Sequence, residues 1–260
     1  MTFGHVVTRK SQGEIERMRR AGRLVAEVLA LVESLLRPGV TAAELDAAAE
    51  RHIRAAGGTP SFKGYVIDPD APAFPGSICV SIDDEVVHGI PDGRVIGDGR
   101  LVSVDAGAIV DGYHGDAARS FWVGDDPPVA VAELLGVTRL ALMAGIAAAR
   151  PGAHIGDISA AVEAEAVAAG LGIVRECVGH GIGTEMHEPP DVPNYTSRSR
   201  GMRLEVGMCL AIEPMLTLGS PDVALLDDGW TIVTRDGSLS CHFEHTIAIT
   251  ESGSEILTTV

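Results

Sequence analysis

The stretch RPGVTAAELDAAAERHIRAAG, residues 37–57, returns in diverged form as RPGAHIGDISAAVEAEAVAAG at residues 150–170. At a constant offset of 113 the two share nine of 21 positions, including Arg-Pro-Gly at the start and Ala-Ala-Gly at the end. Each copy follows a long helical pattern, at 13–36 and 128–149, and each Pro-Gly break leads into a second helix that closes on glycine. Ser11 with Glu14, and Thr41 with Glu44, have the spacing of a capping box. Strand-like stretches follow both helix pairs: 76–83, 101–110 and 113–123, then 172–179, 208–216, 231–236 and 240–250. A repeated helix pair followed by strands predicts an α+β fold with pseudo-twofold symmetry: one domain over 1–260, its halves about 1–125 and 126–260. With helices on one sheet face, a ligand site is expected on the other, between the halves.

Composition narrows the partners. The chain is 46% hydrophobic and 22% charged, as an ordinary globular protein is. A net charge of −16 argues against DNA and anionic membranes as general partners. No stretch reads as long and apolar enough to span a bilayer. The start, MTFGHVVTRKSQGE, lacks the apolar run of a secretory signal, so a cytoplasmic location is expected. Cys79, Cys177, Cys209 and Cys241 are widely spaced and form no C-x-x-C pair, which argues against a zinc ribbon and a disulfide framework.

The stretch DAGAIVDGYHGD, residues 105–116, puts two aspartates into a predicted hairpin turning at Asp111-Gly112. A two-residue turn pairs Val110 with Tyr113, Asp105 with Ala118 and Asp116 with Gly107. Asp105 and Asp116 then share a face as diagonal neighbours, roughly 7–8 Å apart or a little less, and repel unless something positive lies between them. Three stretches of the second half carry matching oddities: VGHGIGTEMHEPP holds His180 and His187, MCLAIEPML holds Glu213, and CHFEHTIAIT holds Glu244. A carboxylate among core residues is costly unless paired, protonated or bound to metal, and any one of these alone reads best as an ion pair. Together Asp105, Asp116, Glu213 and Glu244 carry four negative charges, which two divalent cations balance, and His180 adds a neutral nitrogen. That ligand set suits Mn, Fe(II), Co or Zn in an open catalytic site.

The motifs ICVSIDDEVVHGIPD (78–92), VSVDAGAIVDGYHGDAARSFWVG (102–124), GHGIGTEMHEPP (179–190), GMCLAIEPML (207–216), and DGWT with SLSCHFEHT (228–246) resemble those of the type I methionine aminopeptidases. The likeness runs from the first helix to EILT near the end and matches the short bacterial form of this pita-bread family. The spaced acid–histidine set is shared with prolidase and aminopeptidase P relatives, whereas VVHGIPD, EPM and FEHT favour the methionine enzymes. The resemblance implies two divalent ions (Co, Mn, Fe(II), Zn or Ni) and hydrolysis of the first peptide bond of nascent chains whose second residue is small. By the same resemblance Asp105 would hold one ion, His180 and Glu213 the other, and Asp116 and Glu244 both. Glu213 would also shuttle the proton of the attacking water, His187 would stabilise the oxyanion, and His88 would bind substrate just beyond the scissile bond.

Matching positions assign the methionine pocket to Tyr65, Phe74, Cys79, Met186 and Trp230, chemically sound neighbours for a thioether. The chain departs from the family pattern in a longer 66–78 stretch, in Phe74 and Met186, and in Gly107 where threonine is frequent. His114 and His245, next to ligands in sequence, are expected to support them, while His5, His52, His154 and His242 receive no role. The competing readings are an Xaa-Pro aminopeptidase or prolidase-like enzyme on the same fold, and a binding protein that has lost catalysis. The second would lack a ligand, and all five are present. A transient ribosome contact would use Arg17, Arg19, Arg20 and Arg23, or Arg198, Arg200 and Arg203; a solvated basic face is the simpler account. A monomer is expected. Met1-Thr2 makes the chain a candidate substrate of its own family.

Overall fold

The computed structural model describes residues 7–67 and 72–260. Met1, Thr2 and His5, and with them the self-processing expectation, lie outside the described residues. Helices α1 (Gln12–Leu35) and α2 (Ala42–Ala55) precede β1 (Thr59–Pro60), β2 (Ile78–Ile82), β3 (Glu85–Val87), β4 (Arg100–Val110) and β5 (Tyr113–Val123). Helices α3 (Val129–Ala148) and α4 (Ile155–Ala169) precede β6 (Gly172–Ile173), β7 (Gly179–Gly181), β8 (Glu188–Val192), β9 (Cys209–Ile212), β10 (Met215–Thr217) and β11 (Val223–Leu225). The chain closes with β12 (Ile232–Thr234), β13 (Ser240–His242), β14 (His245–Thr250) and β15 (Gly253–Ile256).

Both expected capping boxes are present, with Ser11 and Thr41 accepting from the N–H of Glu14 and Glu44 and receiving their carboxylates in return. The β4–β5 hairpin has the expected register, Val110 opposite Tyr113, Asp105 opposite Ala118 and Gly107 opposite Asp116. Asp111 and Gly112 both have positive φ, the backbone that a tight turn of this hand needs. On one face of the hairpin Val102, Val104, Ala106, Ala108 and Ala117 pack under α1 and α2, against Val25, Val28, Leu29 and Leu45. Because side chains alternate, Asp105 and Asp116 must point to the other face.

In the second half α3 and α4 pack together and cover strands of two small sheets, β13-β10-β6 and β15-β14-β9-β7-β8. Their core includes Leu134, Leu142, Ile158, Val162, Leu210, Ile212 and Ile247. The expected strands here are interrupted. The 172–179 stretch pairs only at its ends, 208–216 breaks at Glu213-Pro214, and 240–250 breaks at Phe243-Glu244. One composition-based expectation is corrected. Helix α3 is long and apolar enough by those measures to span a bilayer, with a mean hydropathy of 1.8 in its most apolar window. Its inward residues fill the core against α4 and the strands, while Val129, Leu140 and Met143 on its outer side stay exposed.

The halves meet along β5. Thr246 Oγ1 donates to the Asp116 carbonyl at 2.8 Å and accepts from the Asp116 N–H at 3.0 Å. The Glu244 N–H donates to the Ala118 carbonyl at 2.9 Å. Ser120 Oγ bonds both the carbonyl and the N–H of His242.

Candidate metal centre

Those backbone ties bring Asp116 and Glu244 side by side. His180, in β7, has its Nδ1 2.8 Å from the Gly181 carbonyl, which accepts the ring proton there. That contact leaves the Nε2 lone pair directed at the acids, 3.5 Å from Glu213 Oε1 and 4.0 Å from Asp116 Oδ2. Asp116, His180 and Glu244 each offer a ligand atom within 4.8 Å of the others. Asp105, Asp116, His180, Glu213 and Glu244 line one cavity. Glycines frame the cluster because other backbone passes close by. A Cβ on Gly181 would lie 2.3 Å from the Pro189 carbonyl oxygen, and one on Gly115 would lie 2.6 Å from Gly22 N.

The electrostatics of the bare cluster are unfavourable. Burial raises the carboxyls of Asp116, Glu213 and Glu244 well above their ordinary values, reinforced by their mutual repulsion, and it raises Asp105 to about 7. Burial also lowers His180 to about 3, so its imidazole is neutral. Asp105 Oδ1, Asp116 Oδ1 and Glu244 Oε1 are buried with no hydrogen-bond partner. Buried carboxylate oxygens without donors, beside a neutral imidazole lone pair, are the inventory expected of divalent-cation ligands.

The cavity's other wall is apolar. Phe62, Phe74, Cys79, Met186 and Trp230 form one buried cluster, with Tyr65 and Ile90 packed against it. Phe74 meets Trp230 edge-on at 5.1 Å, and Trp230 Nε1 donates to the Pro72 carbonyl at 2.7 Å. Cys79 stands opposite Asp105 in the β2–β4 register, so the apolar wall abuts the acids directly. Burial holds its thiol protonated. Phe62 and Ile67 also line the cavity and were not assigned from sequence. His88 lines it from a backbone with φ of 60°, unusual for a residue with a Cβ. Gly89 follows because a Cβ there would fall 2.3 Å from the Val80 carbonyl oxygen. The His187 ring lies 4.3 Å from the His180 ring, tilted by 57°, and its neighbour Glu188 is held by Lys10 in a buried ion pair at 2.7 Å.

Two histidines sit differently from expectation. His242, given no role, is buried with Nε2 3.8 Å from Glu213 Oε2 and 4.0 Å from Glu244 Oε2, and that nitrogen lacks a partner. Its spacing of two from Glu244 was the available signal. His245, expected to support a ligand, turns away because it follows Glu244 by one residue; its Nδ1 meets Thr258 Oγ1 at 2.7 Å. His114 has its Nδ1 2.9 Å from Ser61 Oγ.

Comparison with known proteins places the chain in a family. The model of metallopeptidase family M24 matches residues 16–251. The methionine aminopeptidase of Clostridium acetobutylicum is 48% identical over 250 residues, covering 96% of this chain and 97% of that protein. Methionine aminopeptidase 1 of Bacillus subtilis is 46% identical over 254 residues, covering 96% and 98%. The crystal structure of methionine aminopeptidase from Thermotoga maritima superposes with a TM-score of 0.93 at 41% identity, covering 98% of this chain and 100% of that one. Prolidase from Pyrococcus furiosus, at 22% identity and a TM-score of 0.78, shares the fold alone. The resemblance read from the motifs is borne out: the chain has the pita-bread fold and belongs to metallopeptidase family M24.

Proposed function

We propose that the chain is a methionine aminopeptidase, removing the first methionine from polypeptides whose second residue is small. The observation that carries this reading is one cavity with two walls, four carboxylates and a neutral imidazole on one side and a buried Phe-Trp-Met-Cys cluster on the other. The apolar wall accepts an unbranched thioether side chain, and aromatic rings are favourable neighbours for its sulfur. Two divalent ions (Co, Mn, Fe(II), Zn or Ni), when bound, would supply Lewis acidity that lowers the pKa of water and polarises the peptide carbonyl.

Asp105 would hold one ion, His180 and Glu213 the other, with Asp116 and Glu244 shared. Glu213 takes the proton of the attacking water and passes it to the leaving amine, work suited to a buried carboxyl with a raised pKa. His187 donates to the oxygen that gains charge at the reacting carbon, and His88 holds the peptide beyond the scissile bond. Burial lowers His88 to about 4, so it binds as a neutral ring. One chain lines the whole cavity, so a monomer suffices. A ribosome contact through the arginines is not favoured, since Arg19, Arg20 and Arg200 already pair with Glu255, Asp111 and Asp157.

The test is a peptide panel on protein reconstituted with Mn or Co. Met-Ala-Ser should be cleaved and Ala-Pro-Ala left intact. Cleavage of Ala-Pro-Ala instead would move the chain to the Xaa-Pro enzymes, and cleavage of neither would make it a binding protein.

A further inference from the structure

Tyr65 lines the apolar wall, but a role in packing methionine makes no use of its hydroxyl. That oxygen lies 2.6 Å from His187 Nδ1, with the two rings tilted by 48° and their centroids 5.3 Å apart. The backbone around Tyr65 is pinned. Its N–H donates to the Phe62 carbonyl and its carbonyl accepts from the Phe74 N–H, both at 2.8 Å, while the Gly64 N–H donates to the Phe74 carbonyl at 2.9 Å. These bonds close the neck of the long 66–73 connection and hold the phenol in place against His187.

A neutral imidazole has one N–H and one lone pair, so the partner at one nitrogen decides what the other can do. If Tyr65 accepted a proton from Nδ1, the bare lone pair of Nε2 would be left for a cavity lined by four carboxyls. The opposite arrangement leaves an N–H on Nε2, the donor that an oxygen gaining negative charge in that cavity needs. Burial raises the Tyr65 phenol and lowers His187, which keeps the O–H in place and the ring neutral.

We propose that Tyr65 is a positioning residue whose hydroxyl donates to His187 Nδ1, fixing the ring and keeping its proton on Nε2, where the reacting carbonyl oxygen needs a donor. The inference rests on the aminopeptidase reading for its kinetic consequence only; the hydrogen bond itself does not.

The experiment compares wild type, Tyr65→Phe, His187→Ala and the double variant, all loaded with Mn and assayed on Met-Ala-Ser, alongside nitrogen-15 spectra of the metal-free proteins. Tyr65→Phe keeps the ring and should lower kcat about 3- to 10-fold, the worth of one neutral hydrogen bond, with KM unchanged. In the His187→Ala background the same substitution should cost nothing further, because its only route of action is gone. The His187 resonances should report a protonated Nε2 in wild type and a tautomer mixture in Tyr65→Phe. Equal losses in both backgrounds, a raised KM with unchanged kcat, or a proton on Nδ1 in wild type would each overturn the proposal. If wild type leaves Met-Ala-Ser intact, the aminopeptidase reading fails, while the spectra still decide the Tyr65–His187 bond.

Discussion

The first half of the chain delivers Asp105 and Asp116 from two uninterrupted 11-residue strands joined by a two-residue turn. The second half delivers Glu213 and Glu244 from gaps, one after β9 at a residue followed by proline, the other between β13 and β14. In the hairpin, side-chain direction follows from parity, and the ladder stays whole around both acids. In the gaps the ladder is broken, and the freed groups find partners elsewhere. The Glu244 N–H crosses to Ala118 in the other half, and Asn194 Nδ2 donates to the Glu213 carbonyl at 3.0 Å. An acid on a regular strand depends on local register, whereas an acid in a gap depends on how the halves dock. The helix pairs differ in the same sense. Helices α1 and α2 begin with side-chain capping boxes, while α3 begins at Pro128 with no side-chain cap and holds its place by packing.

The largest effect should come from Glu244→Ala. On the proposed assignment, in which both ions share Glu244, its loss should abolish activity and weaken both sites, whereas Asp105→Ala in the hairpin should weaken one. Calorimetric titration with Mn that returns two unaltered sites in Glu244→Ala would refute the bridging assignment.

Next comes the acid cluster without metal. A carboxyl whose pKa is higher in the folded than in the unfolded chain favours folding most at low pH, and that advantage is lost as pH rises through the folded value. Burial lifts Asp105 from an ordinary 3.8 to about 7, and Asp116, Glu213 and Glu244 move in the same direction. Metal-free protein should therefore lose stability as the pH rises from about 4 through 7. Mn should raise the melting temperature much more at pH 7.5 than at pH 5. Equal gains at both would show that the acids are not the source.

A smaller effect tests the docking of α1 on the hairpin. Gly115→Ala would drive a Cβ into the Gly22 backbone beside Asp116 and should cost about 1–3 kcal/mol in denaturant unfolding. Gly112→Ala, with nothing within 4 Å of its Cβ, should cost only the strain of its positive φ. The smallest effect is the cap: Ser11→Ala should cost about 1 kcal/mol in urea unfolding, and an unchanged midpoint would place the hold on α1 entirely in its packing.

Much of the architecture was open to reading because it obeys local rules. Capping spacings, the Pro-Gly breaks, the Asp-Gly turn and the parity of residues 105 and 116 each act over a few residues, and the structure repeats them. The histidines mark where such reading stops. His245 follows Glu244 directly in sequence yet faces Thr258, and His242, two residues before Glu244, faces the acids. Strand alternation would have separated them, but alternation could be applied only where a strand runs, and Glu244 sits in a break. Phe62 escaped notice for a related reason, because it enters the cavity from the loop after β1, with no periodicity to flag it.

By itself the sequence determined the helix pairs, the hairpin and the kind of chemistry its acids and histidines can perform, since propensity, capping and register are properties of neighbouring residues. Only the tertiary structure decided that Asp116 lies beside Glu244, that His242 belongs to the cluster, and that the Tyr65 hydroxyl reaches His187. Asp116 with Glu244 and Tyr65 with His187 join residues more than a hundred positions apart, and the first pair meets because Thr246, Ser120 and the Glu244 N–H satisfy backbone groups across the seam between the halves. Buried polar groups must find partners, and which partners they find is a property of the docked halves, not of either stretch of chain.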